Sequence, residues 1–434
     1  MAFGRLGTFG TGYGRLGHAP RTPWWLSGSS LDMDFAKNRA RQAGRFYAPS
    51  ALLTTTRASD AYSDDTAGRW SLFASGAPRI TDKGLLVEEA RTNSIRNNSM
   101  QGAVAGTPGT LPTNWGLNGT ANGLTREIVG VGTENGVDYI DVRWFGTASA
   151  QIDIAIRPEA TTTQVAAASG QSWTASAFFK LVTGANPFSI TNFYVLGINS
   201  GGSATADTAV TSVTLNGTLT RRSVSITMAD ATTAAALFTT IFRIPNGTVC
   251  DFTLRIGWPQ LELGAFATSP IRTTSAAATR AADAISVPAV SSGSRTIFAE
   301  GVPTATDAFA TAQTIAQLDD GSANERMLLF RISGNPSGTV VIGASSTDYN
   351  AIDFGTHSQG ANGKYALALE TGAQSGVFNG GAISAGTKAG LPAASTTLRV
   401  GTNTAGAGQW NGYIRRVAYF PIRLTNAQLQ VLTQ

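Results

Sequence analysis

Side chains able to do acid–base or nucleophilic chemistry are few. The 434 residues include 2 histidines. His18 lies in a glycine-rich stretch, and His357 follows Gly355-Thr356 in a turn. A hydrolytic triad needs a histidine base oriented by a carboxylate, and no Gly-x-Ser-x-Gly elbow accompanies either ring. Both read as ordinary surface residues. Glycan cleavage needs two carboxylates across a groove, but the acids here come as neighbours: Asp64-Asp65, Glu88-Glu89 and Asp319-Asp320. Adjacent strand residues point to opposite faces, so these are poor acid–base couples, and the expectation is a protein that is not an enzyme. Asp319, Asp320 and Asp348 are the loop acids that are candidate Ca²⁺ ligands. No Asp-x-Asp-x-Asp-Gly loop is present, so solvated turn acids are the simpler reading, and no other cofactor is expected. The single cysteine, Cys250, excludes an intrachain disulfide and a cysteine zinc site. Its strand setting reads as a buried small side chain.

Recognition remains. Sugar rings stack on exposed aromatic faces beside polar hydrogen-bonders. Trp115 in Pro112–Gly116, Trp410 in Gln409–Gly412, Tyr349 in Asp348–Asn350, and Phe178 on the polar phase of its strand are candidate ligand contacts. Packing at a subunit interface and loop closure are the alternatives. Trp144, Trp173 and Trp258 fall on apolar phases and read as core.

The elements that position these residues are strands. Ile140, Val142 and Trp144 alternate with polar residues, as do Ile152, Ile154 and Ile156, then Val224, Ile226 and Met228, and then Phe252, Leu254 and Ile256. Period two with one apolar face means antiparallel sheets buried on one side. Asn-Gly pairs begin at Asn118, Asn122, Asn135, Asn216, Asn246, Asn362, Asn379 and Asn411, a dipeptide suited to two-residue hairpin turns. Charged residues are 14%, against about 25% in ordinary domains, which disfavours long solvated helices. Two short helices are expected, Asp34–Gln42 and Leu424–Leu432, the latter capped by Thr425 or Asn426. The Ala/Ser/Thr-rich run Ser275–Ser294 reads as a linker.

The net charge of +5 is scattered, without the clustered basic face of a nucleic-acid binder. No apolar run is long enough for a transmembrane helix. Met1–Gly17 lacks the apolar segment of a signal peptide, so synthesis and assembly in a cytoplasm are expected. Phe3-Gly4-Arg5-Leu6-Gly7 returns as Tyr13-Gly14-Arg15-Leu16-Gly17. So many glycines do not hold a free-standing element, while regularly spaced rings suit ordering on a partner. Phe3, Arg5, Leu6, Phe9, Tyr13, Arg15 and Leu16 are the expected docking contacts. The expected architecture is all-β: two antiparallel β-sandwich (jelly-roll) domains in tandem, at 93–285 and 286–434, after a Gly-rich arm (1–30) and a small adaptor (31–92).

Pro259-Gln260-Leu261-Glu262-Leu263-Gly264 through Ile271 resembles the closing strand of carbohydrate-binding-type jelly rolls in phage tail and fibre proteins. Gly84–Asn93 with Arg57–Tyr62 resembles the adaptor preceding that domain. The stretches Val377–Gly380, Leu398–Gly401, Gly412–Val417 and Tyr419–Thr425 are similar to laminin-G or concanavalin-A-like domains. The resemblance implies a virion tail fibre, tail spike or head spike. Such a protein would be a homotrimer, anchored to other virion proteins through residues 3–17 and bound to a host-surface glycan. Nucleic-acid binding and membrane insertion are not expected. The alternatives are a cell-made carbohydrate-binding lectin and a glycan-degrading spike.

Overall fold

The period-two stretches pair antiparallel throughout. A computed structural model describes residues 28–434 except 119–120, 308–310, 335, 344–347 and 388–389. Strands make up 53% and helix 3%, so the molecule is all-β.

One sandwich lies between Asn93 and Thr273. Among the described residues it has two five-stranded sheets. The first runs Gly116–Asn118, Ile152–Arg157, Thr233–Ile244, Ile190–Asn199, Ala204–Ser212. The second runs Leu124–Glu134, Val137–Thr147, Val249–Leu263, Ser172–Thr183, Thr220–Thr227. Their inner faces meet in one core, where Phe179 packs edge-on against Phe193 and Phe242 at 5.8 and 5.9 Å. The hairpin after Glu134 turns on Asn135 and Gly136, with φ of 52° and 82°, the positive pair a type I′ turn requires. A Cβ on Gly136 would also collide with the carbonyl of Trp70.

The other sandwich is built from both ends of the chain. Its central strand Gly412–Phe420 pairs on one side with Arg295–Pro303. On the other side it pairs with Leu31–Asp34 and then Gly84–Val87. In the opposite sheet Thr54–Thr56 pairs with Ala284–Ser291. The described strands make a ten-stranded and a seven-stranded sheet. Residues 31–92, expected as an adaptor, therefore supply strands to this sandwich. The expected tandem is a nest, with the first sandwich inserted into the second. The physical reason is burial: Leu31, Met33, Leu85 and Val87 need an apolar face, and the second core provides it.

Two local expectations also change. Asp34–Gln42 is not a helix but the turn and return strand of a hairpin, Leu31–Asp34 with Arg39–Gln42. Asn38 takes φ 48° and the Asp34 carboxylate accepts the Lys37 N–H at 3.0 Å, side-chain turn chemistry that outcompetes a short helix. Ser275–Ser294 is not a linker. Ala278–Arg280 pairs with Arg91–Asn93, and Ala284–Ser291 carries Ile285, Val287 and Ala289 into the second core. The final helix, Asn426–Thr433, is capped by Thr425 in a capping box with Gln428. Its Leu429 and Leu432 cover Phe298, Ala366 and Phe420.

The nested units meet at a buried ionic joint. Asp283 accepts from Arg57 at 2.9 Å, from Arg79, and from the Glu88 N–H at 2.9 Å. Glu88 receives Arg79 at 2.7 Å and the Ser269 N–H and Oγ–H at 2.7 and 2.6 Å. Arg280 donates to Ser269 Oγ at 2.9 Å. Burial alone would raise the pKa of Glu88, but Arg280 and Arg79 hold it down to about 2. The insert's two ends are clasped beside this joint: Asn98 N–H donates to Thr273 Oγ1 at 2.9 Å and Thr273 N–H to Asn98 Oδ1 at 2.7 Å.

Candidate functional site

At the open edge of the inserted sandwich the two sheets do not close on each other. The loop Val104–Thr110 seals part of this edge by exchanging backbone hydrogen bonds between Gly106 and Ile128, both 2.9 Å. Next to that seal a cavity of about 510 Å³ remains. Leu117, Ile152 and Ile154 line it from one sheet, and Leu124, Arg126 and Trp144 from the other. The edge strands Gly116–Asn118 and Leu124–Glu134 and the strands next to them position all six, so the walls are backbone-anchored.

Arg126 is the anomaly. Leu124 and Ile128, its neighbours on the same strand phase, are buried in the core. Alternation asks for an apolar side chain between them, and the chain places a guanidinium there, in register with Trp144 on the next strand. Arg126 donates from Nε to the Pro108 carbonyl and from Nη2 to the Gly109 carbonyl, both at 3.1 Å. Partial burial pushes its pKa down. Asp153 also lines the cavity, but Arg243 engages it with two bonds of 2.7 Å. Trp144 stacks on Phe252 at 5.6 Å, which fixes its ring in the wall.

The aromatic candidates from the sequence lie elsewhere. Trp115 is 7% exposed and its indole N–H donates to the Asn97 carbonyl at 2.7 Å. It closes its own loop and offers no stacking face. Trp410 is fully buried between the sheets of the second sandwich, beside His357 and Tyr365. Phe178 does point to the outer face of its sheet, but the hairpin Ala61–Asp64 with Trp70–Phe73 covers that face. The ring packs against Trp258 and Trp70. Tyr349 lies opposite Ile342 on the strand Asp348–Thr356, and its side chain falls outside the described residues. The structure does not bring these four together. Residues 3–17, with Phe3, Arg5, Leu6, Phe9, Tyr13, Arg15 and Leu16, also fall outside the described residues, as does His18.

His357 is not a surface residue. Its Nε2 lies 3.0 Å from the Ala361 carbonyl, so that nitrogen carries the proton and Nδ1 accepts from the Tyr365 hydroxyl. Burial lowers its pKa to about 4. Trp258 is buried as expected, but on the outer face. A register shift opposite Ser176–Phe178 and a φ of 35° at Trp258 turn the indole away from the inner core. The acid pairs are engaged in structure. Asp64 binds Lys83, Asp65 accepts the Ala67 N–H, and Asp319 accepts two bonds from Arg399. Among the described residues no three acid, histidine or cysteine groups cluster as metal ligands. Cys250 is buried, which raises its thiol pKa.

No family model and no curated protein matches the sequence. Among solved structures, the carbohydrate-binding module CBM40 of the Ruminococcus gnavus IT-sialidase, bound to α2,6-sialyllactose, matches at 15% identity and TM-score 0.29. The match covers 33% of this chain and 85% of that one. Domain 4 of AbnA, a GH43 extracellular arabinanase from Geobacillus stearothermophilus in complex with arabinotriose, matches at 19% identity and TM-score 0.29, covering 39% and 81%. A SAP-like pentraxin from Limulus polyphemus matches at 14% identity and TM-score 0.26, covering 34% and 72%.

Proposed function

We propose that this protein is a non-catalytic glycan-binding protein whose inserted sandwich holds the ligand at its open edge. The observation that carries this reading is the cavity of about 510 Å³. It falls within the roughly 300–1,000 Å³ typical of small-ligand sites, and it combines an apolar wall with a few fixed polar groups, as such sites do. Leu117 and the neighbouring aliphatic side chains, backed by the buried Trp144, suit the apolar face of a sugar ring. Arg126, with Thr107 and Thr125 in the same lining, suits its hydroxyls. Rigid strands lower the ordering cost of binding.

Blocking the mouth tests this. Ala121 lines the cavity and is exposed, so Ala121→Trp lays an indole across the opening without entering the core. On a glycan array the full chain binds, and Ala121→Trp loses at least tenfold in affinity at unchanged melting temperature. Unchanged binding by that variant would move the site elsewhere.

A virion setting, as a fibre or spike anchored through residues 3–17, is the second part of the proposal. The Phe3–Gly7 and Tyr13–Gly17 repeat supports it. Deleting residues 1–20 would release the protein from particles and leave glycan binding intact. A homotrimer would add avidity to single sites of low affinity. The competing reading, a lectin that acts without a particle, expects the deletion to change nothing.

A further inference from the structure

We infer that the cavity selects saccharides that carry a carboxylate on the ring, with Arg126 as the residue that reads it. This deepens the glycan-binding reading and rests on it. The argument begins with donors. A guanidinium has five N–H groups. Nε uses one on the Pro108 carbonyl and Nη2 uses one on the Gly109 carbonyl, which leaves three, both on Nη1 among them. These two carbonyls fix the plane of the group. The open end, Nη1 with the second N–H of Nη2, is the fork that meets a carboxylate in two parallel bonds.

Charge gives the same answer. No described carboxylate pairs with Arg126, and loss of solvent is the one influence on its titration. Its neighbour in the cavity, Asp153, is neutralised by Arg243. On the opposite, outer face of the same sheet, arginines are matched: Arg143 binds Glu127 and Asp251, and Arg255 binds Asp141 and Glu134. The mouth therefore keeps an uncompensated positive charge in a partly desolvated place, where an anionic group gains more than it would in water. The wall beside the charge is apolar and includes Trp144, the cross-strand partner of Arg126. A free inorganic anion would leave that wall uncovered. A sugar ring bearing a carboxylate covers the wall and meets the fork.

Matched pairs of ligand test this. The full chain is titrated with tetragalacturonate, 3′-sialyllactose and a hyaluronan tetrasaccharide, each alongside the same compound with its carboxylates reduced to alcohols. At least one acidic form is expected to bind tenfold or more tightly than its reduced partner, with an advantage that shrinks as salt rises. Arg126→Gln is expected to erase that advantage, so that the acidic and reduced forms bind equally, and Arg126→Lys to restore part of it. Equal binding of acidic and reduced forms, both lost in Ala121→Trp, would overturn the carboxylate inference and leave the glycan site standing. Acid preference that persists in Arg126→Gln would overturn the role of Arg126. Failure of every acidic and neutral glycan to bind would overturn both readings.

Discussion

Each sandwich places an arginine beside a tryptophan between its sheets, and the two pairs behave differently. In the second sandwich the Arg331 guanidinium sits 5.9 Å from the Trp410 ring. It donates from Nε to Gln313, from Nη1 to Asp307 and the His357 carbonyl, and from Nη2 to the carbonyls of Ala305 and Thr306. All five donors have acceptors, a carboxylate answers the charge, and the residue is fully buried. In the inserted sandwich Arg126 stands across from Trp144 with three donors left over, no carboxylate and a cavity at its side. Arginine near tryptophan is thus not a signature in itself. Matched donors and charge make a strut; unmatched ones, next to a space, make a reader.

The first way to break the comparison is to separate the two units. Residues 93–274 carry both sheets of the insert and the clasp between Asn98 and Thr273, so this fragment is expected to fold cooperatively alone. Residues 286–434 lack Leu31–Asp34, Thr54–Thr56 and Gly84–Val87 and expose the flank of Gly412–Phe420, so this fragment is expected to stay unfolded or aggregate. Circular dichroism and thermal melts of the two fragments decide it. A sharp transition in 286–434 would mean that the N-terminal strands are decoration on that sandwich.

The second way is to remove the strut. Arg331→Met takes a donor from Asp307, which is a third exposed and keeps the Gln359 N–H, and from four other acceptors, and leaving a buried acceptor unmet costs about 1–3 kcal/mol each. Urea unfolding of the full chain reads this loss. A change below about 1 kcal/mol would show that Arg331 is no more structural than Arg126.

The third is acid. The His357 ring titrates near 6.5 when unfolded and at about 4 when folded. The folded state resists protonation, so its stability is full above pH 6.5 and falls as pH drops toward 4. At 1.36 kcal/mol per unit the total is roughly 3 kcal/mol. Glu88, with its folded value of about 2 against an ordinary 4.5, adds a separate loss below pH 4.5. His357→Gln should flatten the stability curve between pH 6.5 and 4.5 and leave the steeper acid limb in place. If the slope survives that substitution, another group sets it.

These contrasts also mark how far the sequence could be read. Alternation at Ile140–Trp144 and Ile152–Ile156 is a local property, and it became sheet as expected. The capping of the last helix by Thr425 is local too. The nest is not local: Leu31-Asp32-Met33-Asp34 shows the same pattern whichever sheet it joins, and only a partner 384 residues away along the chain, Arg416 holding Asp32, reveals the choice. His357 and Trp410 sit among Gly, Ser, Thr and Asn, so the local sequence reads as surface while tertiary packing buries them. Trp258 continues an inward phase from Phe252 until one shift of register reverses it. Glu88, Ser269 and Asp283 lie in or beside the stretches that carried the resemblance, and their work is to join the units. The cavity does leave a local signal. In Leu124-Thr125-Arg126-Glu127-Ile128 an arginine occupies an inward phase, and such breaks of pattern concentrate at functional sites.

The smallest expected effect sharpens the comparison most. Arg126→Leu restores the apolar alternation between Leu124 and Ile128 and removes an uncompensated, half-buried charge. The Pro108 and Gly109 carbonyls lose their donors, but they lie toward solvent, where water replaces them. The two terms oppose each other, and the net change in stability is expected within about 1 kcal/mol in either direction, while preference for acidic glycans disappears. A residue kept for function shows this pattern, since its replacement by the pattern-matching side chain is tolerated by the fold. A loss above about 2 kcal/mol in urea unfolding would instead make Arg126 the pin that holds the loop Val104–Thr110, and the difference between the two arginines would become one of degree.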